Sequence, residues 1–458
     1  MAVDESLDCP SPPLGNMTAT PDLSGLRANV FTGTLSPFAR NPLETLTRAA
    51  EEQGPIATLR FGNANAFLVS DPAMVEELLV RRGLDFIKAG PVRDQRRLFG
   101  NGLLINEGEA WARQRSLVQP AFHPGNLAAY VPVVVARTKQ MLEGWHGKET
   151  CNVSEELQNL LMGIAAESIF GAEVAPKAAE IGAALESAMD HYSSRRGTAR
   201  FIPDWLPLGD SRKYLNGVRD LLSLVERTIV RRKTVPSSRS DLLEMLLAAR
   251  DESGMRMSAG QVRDEAINLF VGGFDTQSTA LSWTWYLLSR HSHIAQRVCN
   301  EVDVMLHGRA PTAADFPKLA FTQKVLTEAM RLYPPAWIIG REAITDTEIG
   351  GMPIPKGTLV VTSQWVMHRS AKYFANPLEF IPQRWESDQE LPRFAYFPFG
   401  EGPRVCIGAA LASLDCTLVL AMIAQRYRFA LESGGTVQPR AGLTLRPASS
   451  IHARLFTR

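Results

Sequence analysis

The chain has 458 residues, 45% hydrophobic and 21% charged, with a formal net charge of +1. That is an ordinary globular balance. It excludes a chain-wide field for nucleic acid or an anionic membrane, so any basic docking site for a partner is local. The five scattered cysteines, Cys9, Cys151, Cys299, Cys406 and Cys416, show no C-x-x-C spacing; this excludes a disulfide framework and fits a reducing, cytoplasmic compartment.

Residues 1–25 carry Pro10, Pro12, Pro13 and Pro21 among Ser, Thr and Asp, which predicts a flexible lead. The lead has no charged n-region or apolar h-region, so no secretory signal is expected. No stretch is expected to approach the roughly 18 apolar residues of a membrane span. No linker or repeat divides residues 26–458, which predicts one domain. Between 56 and 70, Ile56, Leu59 and Phe61, then Phe67, Leu68 and Val69, flank Gly62-Asn63-Ala64-Asn65; this predicts a β-hairpin. Asp71-Pro72 then supplies an N-cap and a first-turn proline. Residues 83–104 are polar, glycine-bearing and irregular, and Arg93, Arg96 and Arg97 read as a solvated face. Trp111 and Arg115, four apart on a predicted helix, share one face. Residues 126–252 read mostly as helices, including 155–170 and 217–233, interrupted by the apolar, proline-punctuated run 200–207.

Ser258 and Gln261 have capping-box spacing, and a helical pattern runs from there to about Arg290. In its middle sits Gly272-Gly273-Phe274-Asp275-Thr276. Two adjacent glycines cost about 1 kcal/mol each relative to alanine, so close packing or a ligand is expected to compensate; beside Thr276 they could also loosen the ladder into a groove. Glu328 and Arg331 lie three apart on one helical face. Residues 349–361 read as sheet and turns, and 442–456 as a final hairpin.

The run Phe399-Gly400-Glu401-Gly402-Pro403-Arg404-Val405-Cys406-Ile407-Gly408 puts one cysteine in a glycine-rich loop just before a helical pattern over 409–424. A helix N-terminus favours an anion, so Cys406 is expected as thiolate. Gly402 and Gly408 leave room for something flat and bulky, and Arg404 offers a donor fork for a carboxylate. A thiolate, a planar partner and an arginine together suggest heme.

This loop, F-G-x-G-x-R-x-C-x-G, resembles the heme-binding loop of the cytochrome P450 family. Three further motifs stand in the order that family shows. They are W-x-x-x-R at Trp111 and Arg115, followed by the run 119–124; G-G-x-D-T at Gly272 to Thr276; and E-x-x-R at Glu328 and Arg331, with F-x-P-x-R-W at Phe380 to Trp385. The resemblance implies a mainly α fold with a smaller β-rich lobe, the triangular prism of the family, over 26–458. It implies heme b with Cys406 as axial ligand, Arg404, Arg115, Trp111 and Arg341 at the propionates, and Phe399 and Gly273 against the cofactor. Thr276 would hydrogen-bond over the oxygen-binding face, and Asp275 would relay protons from solvent; Gln277 stands where many members have Thr or Ser. Phe270, Trp337 and Ile338 become substrate-pocket candidates, 200–207 a lid, 83–104 the loop over the distal face, and Glu328, Arg331 and Arg384 a structural triad. The implied activity is dioxygen activation to hydroxylate or epoxidise a hydrophobic small molecule, a terpenoid, fatty acyl chain or polyketide. A peroxide-driven enzyme and a non-catalytic heme sensor are the alternatives. No flavin or nicotinamide fingerprint appears, so electrons are expected from a separate ferredoxin and ferredoxin reductase, with Arg113 as a docking point. A soluble bacterial-type monomer is expected.

Overall fold

The structure, a computed structural model, describes residues 34–61, 64–171, 211–234, 241–386, 390–432 and 436–458, with 211–215 as backbone only. The expected lead at 1–25 and the run 200–207 lie outside them. In chain order, the elements that position the site begin with α1 (Pro42–Gln53), the hairpin β1 (Ile56–Phe61) and β2 (Ala64–Val69), and β3 (Phe86–Lys88). Then come α2 (Gly108–Val118), α3 (Val131–Gly144), β4 (Thr150–Asn152), α4 (Val153–Phe170), α5 (Ser211–Thr234) and α6 (Ala259–Arg290). The chain closes with α7 (Ser292–Leu306), α8 (Ala320–Leu332), β5 (Ile339–Ala343), β6 (Leu359–Thr362), α9 (Ala409–Arg426), β7 (Tyr427–Leu431) and β8 (His452–Thr457). The fold is mainly helical with a smaller β-rich lobe, as the sequence implied.

Helix α6 is the axis of the helical part. Ser258 and Gln261 form the expected capping box at its start. The helix packs along α4 and against α8 and α9. Between α4 and α6 the rings of Phe170 and Phe270 lie 5.9 Å apart, and those of Phe270 and Phe274 5.3 Å. Phe270 is fully buried in this core, which corrects its reading as a pocket residue: the aromatic cluster takes up its face. Helix α9 is long and apolar enough by composition to cross a membrane, contrary to the expectation that no stretch comes close. Its residues 414–424 are all buried, and it packs against α3 and α7 as a core helix.

The larger sheet runs β1-β2-β6-β5-β3. The β1–β2 hairpin pairs Ile56 with Val69 and Phe61 with Ala64. Strand β6 adds parallel to β2, β5 antiparallel to β6, and β3 antiparallel to β5, which sets Lys88 opposite Arg341. Leu46, Leu59, Leu68 and Trp337 form the core beneath it. The expected hairpin over 442–456 does not form. Pro439–Ala441 pairs with Leu445–Pro447, and Pro439 and Pro447, which face each other at the open end of that ladder, supply no N–H to extend it. Strand β8 pairs instead with β4 and β7.

The Glu328 carboxylate lies at the centre of a buried knot. It accepts from Arg331 at 2.8 and 2.9 Å, Arg384 at 3.0 Å, the Trp385 indole at 2.8 Å and the Ile381 amide at 3.0 Å. Arg331 uses its remaining donors on the carbonyls of His368, Pro377 and Glu379. Glu328, Arg331 and Arg384 are thus brought together across more than fifty residues of chain, and the knot ties α8 to the segment leading into the cysteine loop.

Candidate active site

The cysteine loop is a backbone device. Gly400 and Gly402 adopt φ of +71° and +73°, the left-handed region glycine favours. A Cβ on Gly402 would lie 2.3 Å from the Leu79 carbonyl oxygen, so that position also requires close approach. Gly402–Arg404 forms a tight turn, and the Cys406 amide donates to the Phe399 carbonyl at 2.9 Å. The Cys406 side chain is exposed, but only into a recess with protein on most sides. That burial pushes the thiol up; the Gly408 amide and Arg115 oppose it. A coordinated metal ion deprotonates a thiol outright.

Cations ring the recess. Arg115 donates to the Val405 carbonyl at 2.9 Å, which ties α2 to the loop. Arg404 pairs with Glu107, donates to the Asn106 carbonyl at 3.3 Å and stacks 4.3 Å from the Trp111 ring. Trp111 thus supports Arg404 rather than Arg115. Arg341, half-buried on β5, is lowered to about 10 by desolvation and by Arg404. Lys88, opposite it on β3, was missed in the sequence. Burial lowers it to about 7, with Arg404 and Arg341 adding and Glu107 opposing. Its ammonium reaches the carbonyls of Leu103 (3.1 Å) and Asn106 (3.0 Å). A lone lysine in a polar stretch gives no signal; only strand pairing brings it to Arg341. Arg115, Arg341 and Arg404 outnumber Glu107 around the cysteine loop. That excess charge fits a flat group with carboxylates on its edge and a metal at its centre.

Helix α6 contributes the opposite feature. Residues 277–288 are all buried, yet Gly272 is exposed and Gly273 and Thr276 are half-buried. The middle of this otherwise buried helix is therefore accessible at Gly272, Gly273 and Thr276. A Cβ on Gly272 would meet nothing within 4 Å. The glycines leave room rather than a break: the helix is continuous, and the Thr276 hydroxyl donates to the Gly272 carbonyl at 2.8 Å. Asp275 does not face solvent. It is 2% exposed, accepts from Thr444 at 2.8 Å and pairs with Arg446. A relay from solvent therefore does not match the geometry, because both carboxylate oxygens are engaged by the C-terminal turn.

Trp337 is corrected from pocket to core: it is buried in the β-lobe cluster, and its indole donates to the Gly442 carbonyl at 2.9 Å. Ile338 packs against the same cluster, whereas Ile339 reaches the cysteine loop, 3.6 Å from where a Gly400 Cβ would stand. Phe399 packs against the helical core. Arg113 is not a free docking charge: it donates to Asp251 at 2.7 Å. The Asp251 carboxyl is lowered to about 2 by the Ser253 hydroxyl and then Arg113.

Residues 24–452 match the family model described as Cytochrome P450. The chain is 35% identical over 414 residues to the cyclooctatin synthase of Streptomyces melanosporofaciens, covering 89% of this chain and 90% of that one. It is 33% identical to the cyclooctat-9-en-7-ol 5-monooxygenase of the same organism, covering 87% of each. A retinoic acid-bound cyanobacterial CYP120A1 superposes with a TM-score of 0.84 at 27% identity, covering 93% of this chain and 97% of that one.

Proposed function

The chain belongs to the cytochrome P450 family and is a heme b-dependent monooxygenase, and from that premise we propose that it hydroxylates or epoxidises a terpenoid. Similarity at 35% and 33% to the cyclooctatin synthase and the cyclooctat-9-en-7-ol monooxygenase supports that substrate class over a fatty acyl chain or a polyketide. Electrons come from a separate ferredoxin and its reductase. The enzyme is taken as a cytoplasmic monomer, which gel filtration checks.

The observations that support the proposed site are the exposed Cys406 in its glycine-rich loop and the accessible stretch of α6 at Gly272, Gly273 and Thr276. When bound, the cofactor supplies dioxygen activation, with thiolate ligation favouring O–O cleavage. The chain supplies the rest. Cys406 Sγ would hold the iron as a thiolate. Arg115, Arg341 and Arg404, the last held by Trp111 and Glu107, neutralise the carboxylate edge. Gly272 and Gly273 would leave room for dioxygen and substrate beside α6. The Thr276 hydroxyl can release the Gly272 carbonyl and hold a proton over the reacting face. Asp275 reaches that face only by leaving Arg446 and Thr444.

The test is turnover of a terpenoid panel with a surrogate ferredoxin, its reductase and reduced nicotinamide. Substrate-dependent reductant use and a product one oxygen atom heavier are expected. Thr276→Ala should keep consuming reductant while product falls and peroxide accumulates. Product from peroxide alone at the same rate, or full coupling in Thr276→Ala, would contradict the assignment.

A further inference from the structure

The segment 99–107 is gripped from both sides. On one side stand three side chains on one stripe of α6. Asp264 accepts from the Asn101 amide at 2.8 Å, Glu265 from the Leu103 amide at 3.0 Å, and Asn268 from the Leu104 amide at 2.9 Å. The Asn268 amide group also donates to the Phe99 carbonyl at 2.7 Å, so one side chain closes both ends of the turn. The fit leaves no slack: a Cβ on Gly100 would lie 2.2 Å from the Asp264 carboxyl carbon, and one on Gly102 2.3 Å from the Asn268 amide nitrogen. On the other side, Lys88 donates to the Leu103 and Asn106 carbonyls, Arg404 to the Asn106 carbonyl, and Glu107 holds Arg404. Amides therefore point at an acidic stripe and carbonyls at the cation ring. The peptide dipoles between them favour both charges. Through Arg263, Asp264 is further linked to Glu226 on α5.

We propose that Asp264, Glu265 and Asn268 are positioning residues that fix the segment 99–107, and through its carbonyls Lys88 and Arg404, so that cofactor retention and substrate affinity depend on a stripe of α6 facing the segment's amides. This rests on the P450 reading of the recess. It goes beyond that reading because none of the three residues is assigned contact with cofactor or substrate. Glu265 is buried, which pushes its carboxyl up to about 7 against the pull of the Leu103 amide, and its second oxygen is buried with no hydrogen-bond partner among the described residues. The side chain is held by the segment rather than by solvent.

The experiment compares the loaded wild type with Asn268→Leu, Glu265→Leu, Glu265→Gln and Thr284→Val. The last removes a buried hydroxyl elsewhere on α6 and matches loss of stability without touching the segment. Transfer of cofactor to a scavenger apoprotein, substrate KM and kcat, amide exchange and Tm are measured. In both leucine variants, cofactor transfer and exchange at Leu103 and Leu104 should rise about tenfold, the order expected for a buried group left unpaired. KM should rise in the same variants with kcat within about twofold. Glu265→Gln, which keeps the acceptor, should rescue, and Thr284→Val should leave transfer unchanged. Unchanged transfer in the leucine variants, or an equal rise in Thr284→Val at matched Tm, overturns the proposal. If a leucine variant does not fold, Asn268→Asp, which keeps the Leu104 acceptor and loses both donations, takes its place with the same outcomes. Amide exchange is read without cofactor, so a wild type lacking a thiolate-heme spectrum would remove the P450 reading and still leave the grip itself tested.

Discussion

Glu328→Gln is the sharpest probe of the frame that holds the cysteine loop. The carboxylate is fully buried and accepts from Arg331 twice, from Arg384, from the Trp385 indole and from the Ile381 amide. Glutamine has nearly the same shape but one carbonyl oxygen. Its amide nitrogen would have to face either the Arg331 Nε and Trp385 Nε1 donors or those of Arg384 and Ile381. Arg331, itself fully buried, keeps three carbonyl partners but loses its counter-charge. Stranding a buried charge costs about 3–5 kcal/mol, and each orphaned buried donor about 1–3 kcal/mol more. The expected loss is on the order of 4–8 kcal/mol, comparable with the roughly 5–15 kcal/mol that holds a typical fold together. Urea unfolding of the purified protein, followed with cofactor content, measures it. Wild-type midpoint and slope in Glu328→Gln would refute the reasoning, because the knot would then not carry the charge balance drawn here.

Gly402→Ala should lose about 2 kcal/mol or more and load cofactor poorly, because its φ is +73° and the new methyl meets the Leu79 carbonyl; thermal melts and absorbance of the loaded protein check both. His368, fully buried, accepts from the Phe397 amide at 3.0 Å, and burial lowers it to about 3. The unfolded chain binds that proton from about pH 6.5. Stability from this group is therefore full above pH 6.5 and falls as pH drops toward 3, and His368→Gln, which keeps the acceptor, should flatten that slope in urea titrations. Asp415, buried on α9, has the opposite sign. Burial raises it to about 8 against the pull of Gln277, so its contribution is present at low pH and is lost as pH rises from about 4 to 8. Asp415→Asn should remove that decline, and an unchanged profile would show that the carboxyl is not neutral in the folded protein.

What the sequence disclosed was local. The cysteine loop, the capping box at Ser258 and Gln261, and the β1–β2 hairpin are each set by residues within a few positions of one another, so spacing reports them. Glu328 and Arg384 were paired through motif likeness, not periodicity. The errors are long-range. Arg113 read as a free cation because Asp251 stands 138 positions away. Asp275 read as a solvent relay because Thr444 and Arg446, which engage it, lie about 170 positions on. Phe270 and Trp337 illustrate a different limit: a large apolar side chain suits a pocket wall and a core equally, and only the neighbours decide. Lys88, Glu265 and Asn268 were invisible because a polar residue on a helix or strand looks like a solvated face until its partner is known. The glycines at 100 and 102 were the one available hint, since adjacent tight positions imply something pressed against the backbone.

The central claim is that Cys406 ligates heme iron as a thiolate in this recess. The direct measurement is the absorption spectrum of the purified, heme-loaded protein, reduced and exposed to carbon monoxide. A strongly red-shifted Soret band, lost in Cys406→Ala, is the result predicted. A band at the ordinary histidine-heme position, or an unchanged band in Cys406→Ala, would contradict it.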